Sequence, residues 1–294
     1  MSVEVLAEPD ARVRARAAFR RRERLRSLRG QAPLVLACLL VLAPCWFLAL
    51  GAFKSVSEFF ESPFGLPRSW SVHNFTDAWE QAGLTTAFRN SVVITAASVF
   101  LSTACAALAS FAIARLRFRG ATVVQLALVA GLVLPTQLIV IAAFVEMRWL
   151  GLLGTILPVI LFYGVSGIPI GVLFLVGFFR AIPDALTEAA AIDGAGTWRQ
   201  FRDVVLPLAR APIMTVAILN SVWIWNDFFV PLVFANQESL QTVPLAILNF
   251  YGANTTDYGL VFAGVVMSAI PVVAVYVAMT RQFIGGVMAG GVKG

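Results

Sequence analysis

Six long apolar stretches, separated by short polar segments, dominate the pattern of this chain of 294 residues. A helix needs about 20 mostly apolar residues to cross the hydrocarbon layer of a membrane, and each stretch reaches that length. Such a helix satisfies its own backbone hydrogen bonds in lipid. The pattern therefore predicts an all-α membrane protein with six transmembrane helices, at approximately 32–53, 91–114, 121–145, 155–179, 211–234 and 259–280.

The composition agrees with this prediction. Apolar residues make up 59% of the chain and charged residues 13%, whereas about a quarter of a soluble chain is charged. Cys38, Cys45 and Cys105 all lie in apolar stretches, and His73 is the one histidine. We therefore expect neither a disulfide framework nor a metal site.

The basic residues concentrate in alternate loops. Eighteen of the 22 Lys and Arg residues fall in the N-terminal arm, after spans two and four, and at the C-terminal end. Because such loops stay in the cytoplasm, both termini are predicted to be cytoplasmic. The predicted organisation is a basic arm at 1–30, a transmembrane domain of six spans at 31–282 containing a cytoplasmic loop at 180–210, and a tail at 283–294.

The basic arm has two interpretations, an anionic membrane surface or nucleic acid. Nine arginines fall within the first thirty residues, but acidic residues such as Glu23 interrupt them. A basic segment beside a membrane span is typical of binding to anionic lipid. We therefore predict membrane lipid as the partner of the arm, and no nucleic acid.

The loop between spans four and five carries the strongest local signals. Pro183 and Asp184 suit the first turn of a helix, and Gly194 would break it. Thr197 and Gln200 have the spacing of a capping box. The loop is therefore predicted to be two amphipathic helices joined at a glycine elbow, which either lie in the headgroup region or dock into a cytoplasmic partner. The second helix would carry one apolar stripe, formed by Trp198, Phe201, Val204, Val205 and Leu208.

The spacing of Glu188-Ala189-Ala190, Gly194, Val204 and Leu206-Pro207 resembles the signature loop of ABC importer permeases, with Val204 where that family usually has isoleucine. The resemblance implies the type I ABC importer permease fold. It also implies that the first loop helix is a coupling helix, seated in a cleft of a separate ATPase subunit. The coupling residues that it indicates are Glu188, Ala189, Ala190, Asp193, Gly194, Leu206 and Pro207.

Four further segments resemble the carbohydrate branch of that family, the smaller permease of maltose-type importers: Arg89-Asn90-Ser91, Ala114-Arg115 with Phe118-Arg119-Gly120, Trp225-Asn226-Asp227-Phe228, and the tail 290–294. This resemblance implies a multi-pass protein of the bacterial cytoplasmic membrane that transports a sugar or oligosaccharide. The implied partners are a second permease, two ATPase subunits and an extracytoplasmic solute-binding protein, which would meet the outer loops 54–90 and 235–257. Lys293 and Gly294 would reach between the ATPase subunits.

Polar residues also occur inside the spans. Asn220, Trp223 and Asp227 follow a helical spacing that places them on one face of span five. Polar groups in a span usually face a cavity or another helix. They would line a sugar path, together with Asn226 and with Gln137, which lies beside Pro135. Alternatively, they would make hydrogen bonds to helices of the partner permease or form an aromatic belt near the outer interface. For Trp225 we favour packing.

Nothing in the sequence indicates catalysis by this chain. Its two lysines, Lys54 and Lys293, lack the glycine spacing of a phosphate loop. We therefore expect no enzyme activity and no cofactor here, with ATP and Mg bound by the partner ATPase. Two alternatives remain: a secondary transporter driven by an ion gradient, for which Asp227 is the one credible carboxylate in a span, and a membrane scaffold that does not transport.

Overall fold

A computed structural model describes the backbone of residues 31, 33–116, 118–251 and 256–291, and the side chains as far as residue 278. Over these residues the chain is mostly helical and has no β-strand, apart from one isolated bridge between Tyr251 and Thr256. The predicted lipid-binding arm at 1–30 and the predicted tail contacts Lys293 and Gly294 lie outside the described residues. The helices are α1 (Pro33–Gly51), α2 (Val56–Glu61), α3 (His73–Gln81), α4 (Leu84–Arg115), α5 (Ala121–Ala130), α6 (Thr136–Trp149), α7 (Leu157–Ser166), α8 (Ile168–Ala181), α9 (Asp184–Ile192), α10 (Thr197–Leu208), α11 (Arg210–Asn226), α12 (Phe229–Phe234), α13 (Val243–Ile247) and α14 (Tyr258–Gly291).

Four stretches of helix are long and apolar enough to cross a membrane: Pro33–Gly51, Leu84–Arg115, Leu157–Ala181 and Tyr258–Ala278. Two bent helix pairs, Ala121–Val133 with α6 and α10 with α11, would each supply one more. The described residues therefore offer four to six spans, where the sequence pattern predicts six.

The predicted span 121–145 is a bent pair of helices. The two halves meet at 103°, and the break falls at Leu134 and Pro135, which both have extended backbone angles. Proline has no N–H for the helical ladder, and its ring disfavours a helical conformation in the preceding residue. The bend therefore lies at the proline, where interrupting the helix costs the fewest backbone hydrogen bonds.

The predicted span 211–234 also divides. Helix α11 ends at Asn226, and Asp227 is extended with φ −78° and ψ 134°. Its carboxylate accepts the N–H groups of Phe229 and Val230, at the start of α12. A short acidic side chain often takes backbone donors in this way, in competition with helix continuation.

Helix α4 packs closely against α7 and α8. A methyl group added at Gly164 would lie 2.4 Å from Leu101, and one at Gly171 would lie 2.5 Å from the Cβ of Ala106. Small residues let two helix backbones approach closely, which favours van der Waals packing between membrane helices. The contact therefore depends on glycine at these positions.

The loops collect at two ends of the helices. At one end, here called the elbow end, Arg115 contacts Asp184 and the Phe111 ring lies 5.1 Å from that of Phe201. At the opposite end, Asn90 contacts the backbone of Ser239. The short helix α3 lies at that end as well.

Candidate functional site

The elbow forms as the sequence predicts. Helix α9 begins directly after Pro183 and ends at Ile192. Gly194 has φ +80°, a conformation that costs glycine little and other residues more. The N–H of Ala195 bonds to the carbonyl of Ala190 at 2.8 Å. This closes the end of α9 and turns the chain towards α10.

The predicted capping box does not form at the start of α10. Gly196 occupies the capping position, without a side-chain cap. The Gln200 amide Nε2 instead donates to the carbonyl oxygen of Ala195, at 2.9 Å. Gln200 therefore ties the second helix back to the elbow, and residues 200–205 continue as a π-helical segment.

Two residues of the predicted apolar stripe anchor α10. Phe201 and Val205 are buried, and the Phe201 ring packs against Phe111 of α4. Trp198 and Leu208, which the sequence assigns to the same stripe, are more than half exposed. The helix therefore uses only part of its apolar surface within this chain.

The predicted coupling residues lie mainly on the outside of the elbow. Glu188, Ala189 and Asp193 are exposed, and the neighbouring Ile192 side chain is 87% exposed. Gly194 and Pro207 are exposed as well, whereas Ala190 and Leu206 are partly buried. This arrangement of apolar side chains around a carboxylate is suited to docking a protein partner.

A polar cavity of about 430 Å³ lies behind α9, between the ends of α4 and α8. Arg115 and Glu188 both line it. The Arg115 guanidinium donates to the Asp184 carboxylate and to the Ile182 carbonyl oxygen. The sequence identifies Arg115 only as a loop charge and a motif residue. Its contacts join residues far apart in the chain and leave no local signal.

Asn220 is buried between helices α11, α4 and α8. Its Nδ2 donates to Ser102 Oγ at 3.2 Å and to the carbonyl oxygen of Gly167 at 3.4 Å. A side chain at position 167 would collide with Ser102 and Asn220, since an added Cβ would lie 2.8 Å from Ser102 Cβ and 2.9 Å from Asn220 Nδ2. Asn220 therefore links three helices through hydrogen bonds.

Asn220 also borders a cavity of about 480 Å³ together with Trp223. Trp223 is 38% exposed, and its ring meets the Tyr163 ring edge-on at 5.4 Å. Aromatic surface and amide groups together are suited to binding a sugar. The lining includes Thr136, Ser166 and Pro169. Gln137 is exposed, next to Thr136 in the chain, and is not among the described residues that line this cavity.

Helix α11 ends at Asn226, so Asp227 lies directly after the helix that carries Asn220 and Trp223. Asp227 accepts a hydrogen bond of 2.7 Å from the Tyr163 hydroxyl. Asn226 is exposed, and its Nδ2 donates to the carbonyl oxygen of Val222 in its own helix. Sequence reasoning did not identify Tyr163, whose position in an apolar stretch gives no sign of a polar partner.

Trp225 is buried, and its indole N–H donates to the carbonyl oxygen of Ser268 in α14 at 3.1 Å. Among the described residues, no group of three or more His, Cys, Asp and Glu side chains is arranged to hold a metal ion.

Comparison with known proteins gives a consistent result. The profile of the family described as "Binding-protein-dependent transport system inner membrane component" matches residues 105–282. The chain is 33% identical to the diacetylchitobiose uptake system permease protein NgcG of Streptomyces coelicolor, over 89% of this chain and 87% of that protein. It is 31% identical to the melibiose/raffinose/stachyose import permease protein MelC of Bacillus subtilis, over 85% of this chain and 91% of that protein.

A similar fold occurs in a solved bacterial ABC transporter involved in the import of the acidic polysaccharide alginate. The TM-score is 0.74 at 21% identity, covering 90% of this chain and 98% of the other. A second structure, of an alginate ABC transporter in complex with an alginate pentasaccharide-bound periplasmic protein, gives a TM-score of 0.60 at 16% identity, over 87% and 96% of the two chains. The architecture is thus the type I ABC importer permease fold.

Proposed function

Because the chain belongs to the family of binding-protein-dependent transport system inner membrane components, we propose that it is a permease subunit of an ATP-driven importer for a sugar or oligosaccharide. The observation that carries this proposal is the elbow, with Glu188 and Ile192 exposed beside a left-handed Gly194. Ile192 is 87% exposed, so its side chain is available to a partner.

The elbow would fit a cleft of an ATPase subunit on the cytoplasmic side. Ile192 would be the apolar anchor, and Glu188 would make a polar contact at its edge. The chain has no phosphate loop, so ATP and Mg would be bound and hydrolysed by two copies of that partner. Motion of the nucleotide sites would then reach the spans through α9 and α10. Both termini of the permease would be cytoplasmic, in a bacterial inner membrane.

A second permease would form the other half of the translocation path. The cavity beside Asn220 and Trp223 is the part of this chain best suited to line it, because it combines an aromatic face with amide and hydroxyl groups. Asp227 would support the path indirectly, by holding Tyr163 beside Trp223. Asn226 and Gln137 are exposed and would reach the path only in the assembled pair.

The substrate class follows from the relatives. NgcG and MelC are named for the uptake of diacetylchitobiose and of melibiose, raffinose and stachyose, and both are similar to this chain over most of its length. An extracytoplasmic solute-binding protein would deliver a sugar of this size to the end opposite the elbow.

The test is ATPase activity of the reconstituted complex, in which this chain is combined with its partner permease, ATPase and binding protein. The rate is measured with a panel of mono- to pentasaccharides. We expect one group of sugars to stimulate hydrolysis. A complex that binds ATP but responds to no sugar would contradict the proposed substrate class.

Uptake into vesicles distinguishes the two alternatives. An ATP-driven importer stops when ATP is removed and continues with a protonophore present. The opposite result would favour a secondary transporter, which would need a charged residue such as Asp227 in the membrane. Copurification with an ATPase, but without any solute uptake, would favour a scaffold.

A further inference from the structure

Helix α4 differs from every other candidate span in its composition. Residues 84–115 contain neither glycine nor proline, although the helix runs for 32 residues. At 1.5 Å per residue its length is about 48 Å. Glycine and proline are the usual sites of helix bending. The other candidate spans all contain proline: Pro44 in α1, Pro135 between α5 and α6, Pro158 and Pro169 in α7 and α8, Pro207 and Pro212 in α10 and α11, and Pro271 in α14.

The elbow end of α4 is fixed by its last residue. Arg115 has a side chain that is only 8% exposed, and its guanidinium donates to two groups on either side of Pro183. One is the carbonyl oxygen of Ile182, just after α8, and the other is the carboxylate of Asp184, at the start of α9. Pro183 has no backbone N–H to donate, and Arg115 supplies hydrogen bonds to the residues on both sides of it.

The opposite end of α4 holds the loop before α13. Asn90 Nδ2 donates to the carbonyl oxygens of Ser239 and Gln241, at 3.0 and 3.1 Å. Ser91 Oγ accepts the N–H of Val243 at 2.9 Å. Asn90 and Ser91 are both buried. A buried backbone group that loses its partner costs about 1–3 kcal/mol, so these bonds hold the loop to the helix.

We propose that α4 is a rigid link between the outer loop at 239–243 and the elbow, and that Asn90 and Arg115 are the positioning residues that fix its two ends. This inference rests on the proposed function, in which the outer loop faces the binding protein and the elbow faces the ATPase. An unbroken helix held at both ends moves as one body, so a displacement of the loop is carried to α9. The bent spans absorb such a displacement at their breaks.

The first test is Arg115→Lys in the complete reconstituted complex. Lysine keeps the charge but lacks the planar fork that reaches both partners at once. We expect assembly and basal ATPase activity to be retained, while stimulation by the sugar-loaded binding protein falls about five-fold or more, as for a typical coupling free energy. The matched control is Arg180→Lys. Arg180 lines the same cavity but donates to the Gln125 amide oxygen, away from the junction.

The second test is Asn90→Ala, with Asn236→Ala as its control, because Asn236 is exposed in the same outer loop. We expect the Asn90 variant to lose stimulation and the control to keep it. The double variant Asn90→Ala with Arg115→Lys should lose no more stimulation than the more impaired of the two single variants. Two residues that act on one link give effects that do not add.

The outcomes distinguish the proposed rigid link from the proposed function. If the wild-type complex is stimulated and the Arg115 and Asn90 variants respond equally well, the link is wrong and the proposed function stands. If the wild-type complex shows no stimulation by any loaded binding protein, both proposals fall. If Arg115→Lys does not assemble, Asp184→Ala decides, because the Asp184 side chain is 56% exposed. Stimulation of that variant at the wild-type level would overturn the role of the junction.

Discussion

The elbow and the cavity beside Asn220 use their polar and apolar side chains in opposite ways. At the elbow, Glu188 and Ile192 are both exposed, although Glu188 also lines the polar cavity with Arg115. In the spans, Asn220 and Asp227 bond to residues of the same chain. The difference teaches that exposed groups at the elbow are available to another protein, whereas polar groups in the spans first stabilise this chain.

The surroundings explain the difference. Water solvates an exposed carboxylate such as Glu188, so it needs no protein partner to fold. In hydrocarbon, an unpaired amide or carboxylate is costly, and the fold supplies partners such as Ser102 and Tyr163. Substitutions at the elbow should therefore affect coupling, and substitutions in the spans should affect stability as well as transport.

The largest effect is expected for Glu188→Lys, which reverses a charge on the proposed docking surface. Charge reversal at an interface costs several kcal/mol, and about 1.4 kcal/mol is already a ten-fold change. We expect uptake in vesicles to fall by more than ten-fold while the complex still assembles. Glu188→Gln, which keeps the shape, should retain part of the activity. Normal uptake by the lysine variant would refute the coupling role.

Asp227→Ala should have the next largest effect, on stability. It removes the acceptor of the Tyr163 hydroxyl and of two backbone N–H groups, and each unpaired buried group costs about 1–3 kcal/mol. We expect a clear fall in the Tm of the purified complex. The control is Asn226→Ala, since Asn226 is exposed and bonds within its own helix. Equal Tm values for the two variants would contradict this assignment.

The variant Asn220→Leu tests whether Asn220 binds the sugar or only packs between helices. If Asn220 binds sugar, the loss of one hydrogen bond, about 1 kcal/mol, should raise the apparent KM of uptake about five-fold. Ser102→Ala removes the same internal hydrogen bond from its other side, because Ser102 lies fully buried behind Asn220. If both variants leave the sugar kinetics unchanged, Asn220 is a packing residue.

The smallest effect is expected for Trp225→Phe, which keeps an aromatic ring but loses the hydrogen bond to Ser268. We expect a decrease in stability of about 1 kcal/mol, seen as a small fall in Tm, with normal sugar kinetics. An altered KM of uptake would instead indicate that Trp225 contributes to the sugar path.

The sequence predicts some local features well because their causes are local. Helix α9 begins directly after Pro183, and Gly194 adopts the left-handed conformation of the turn that follows it, which glycine accepts readily. The capping box shows the limit of such rules. Thr197 and Gln200 have the right spacing, yet Gln200 bonds to Ala195 instead, because Gly196 already occupies the capping position.

The sequence by itself determined that this chain is helical and apolar enough to span a membrane several times, and where its elbow lies. Those properties follow from composition and from neighbours in the chain. Only the tertiary structure decided the 103° bend at Pro135, the pairing of Tyr163 with Asp227 and the contacts of Arg115 across Pro183. Pro135 marks where that bend lies but does not set its angle. The contacts of Tyr163 and Arg115 join residues that are distant in sequence, and a buried polar group takes whichever partner the packed helices bring within reach.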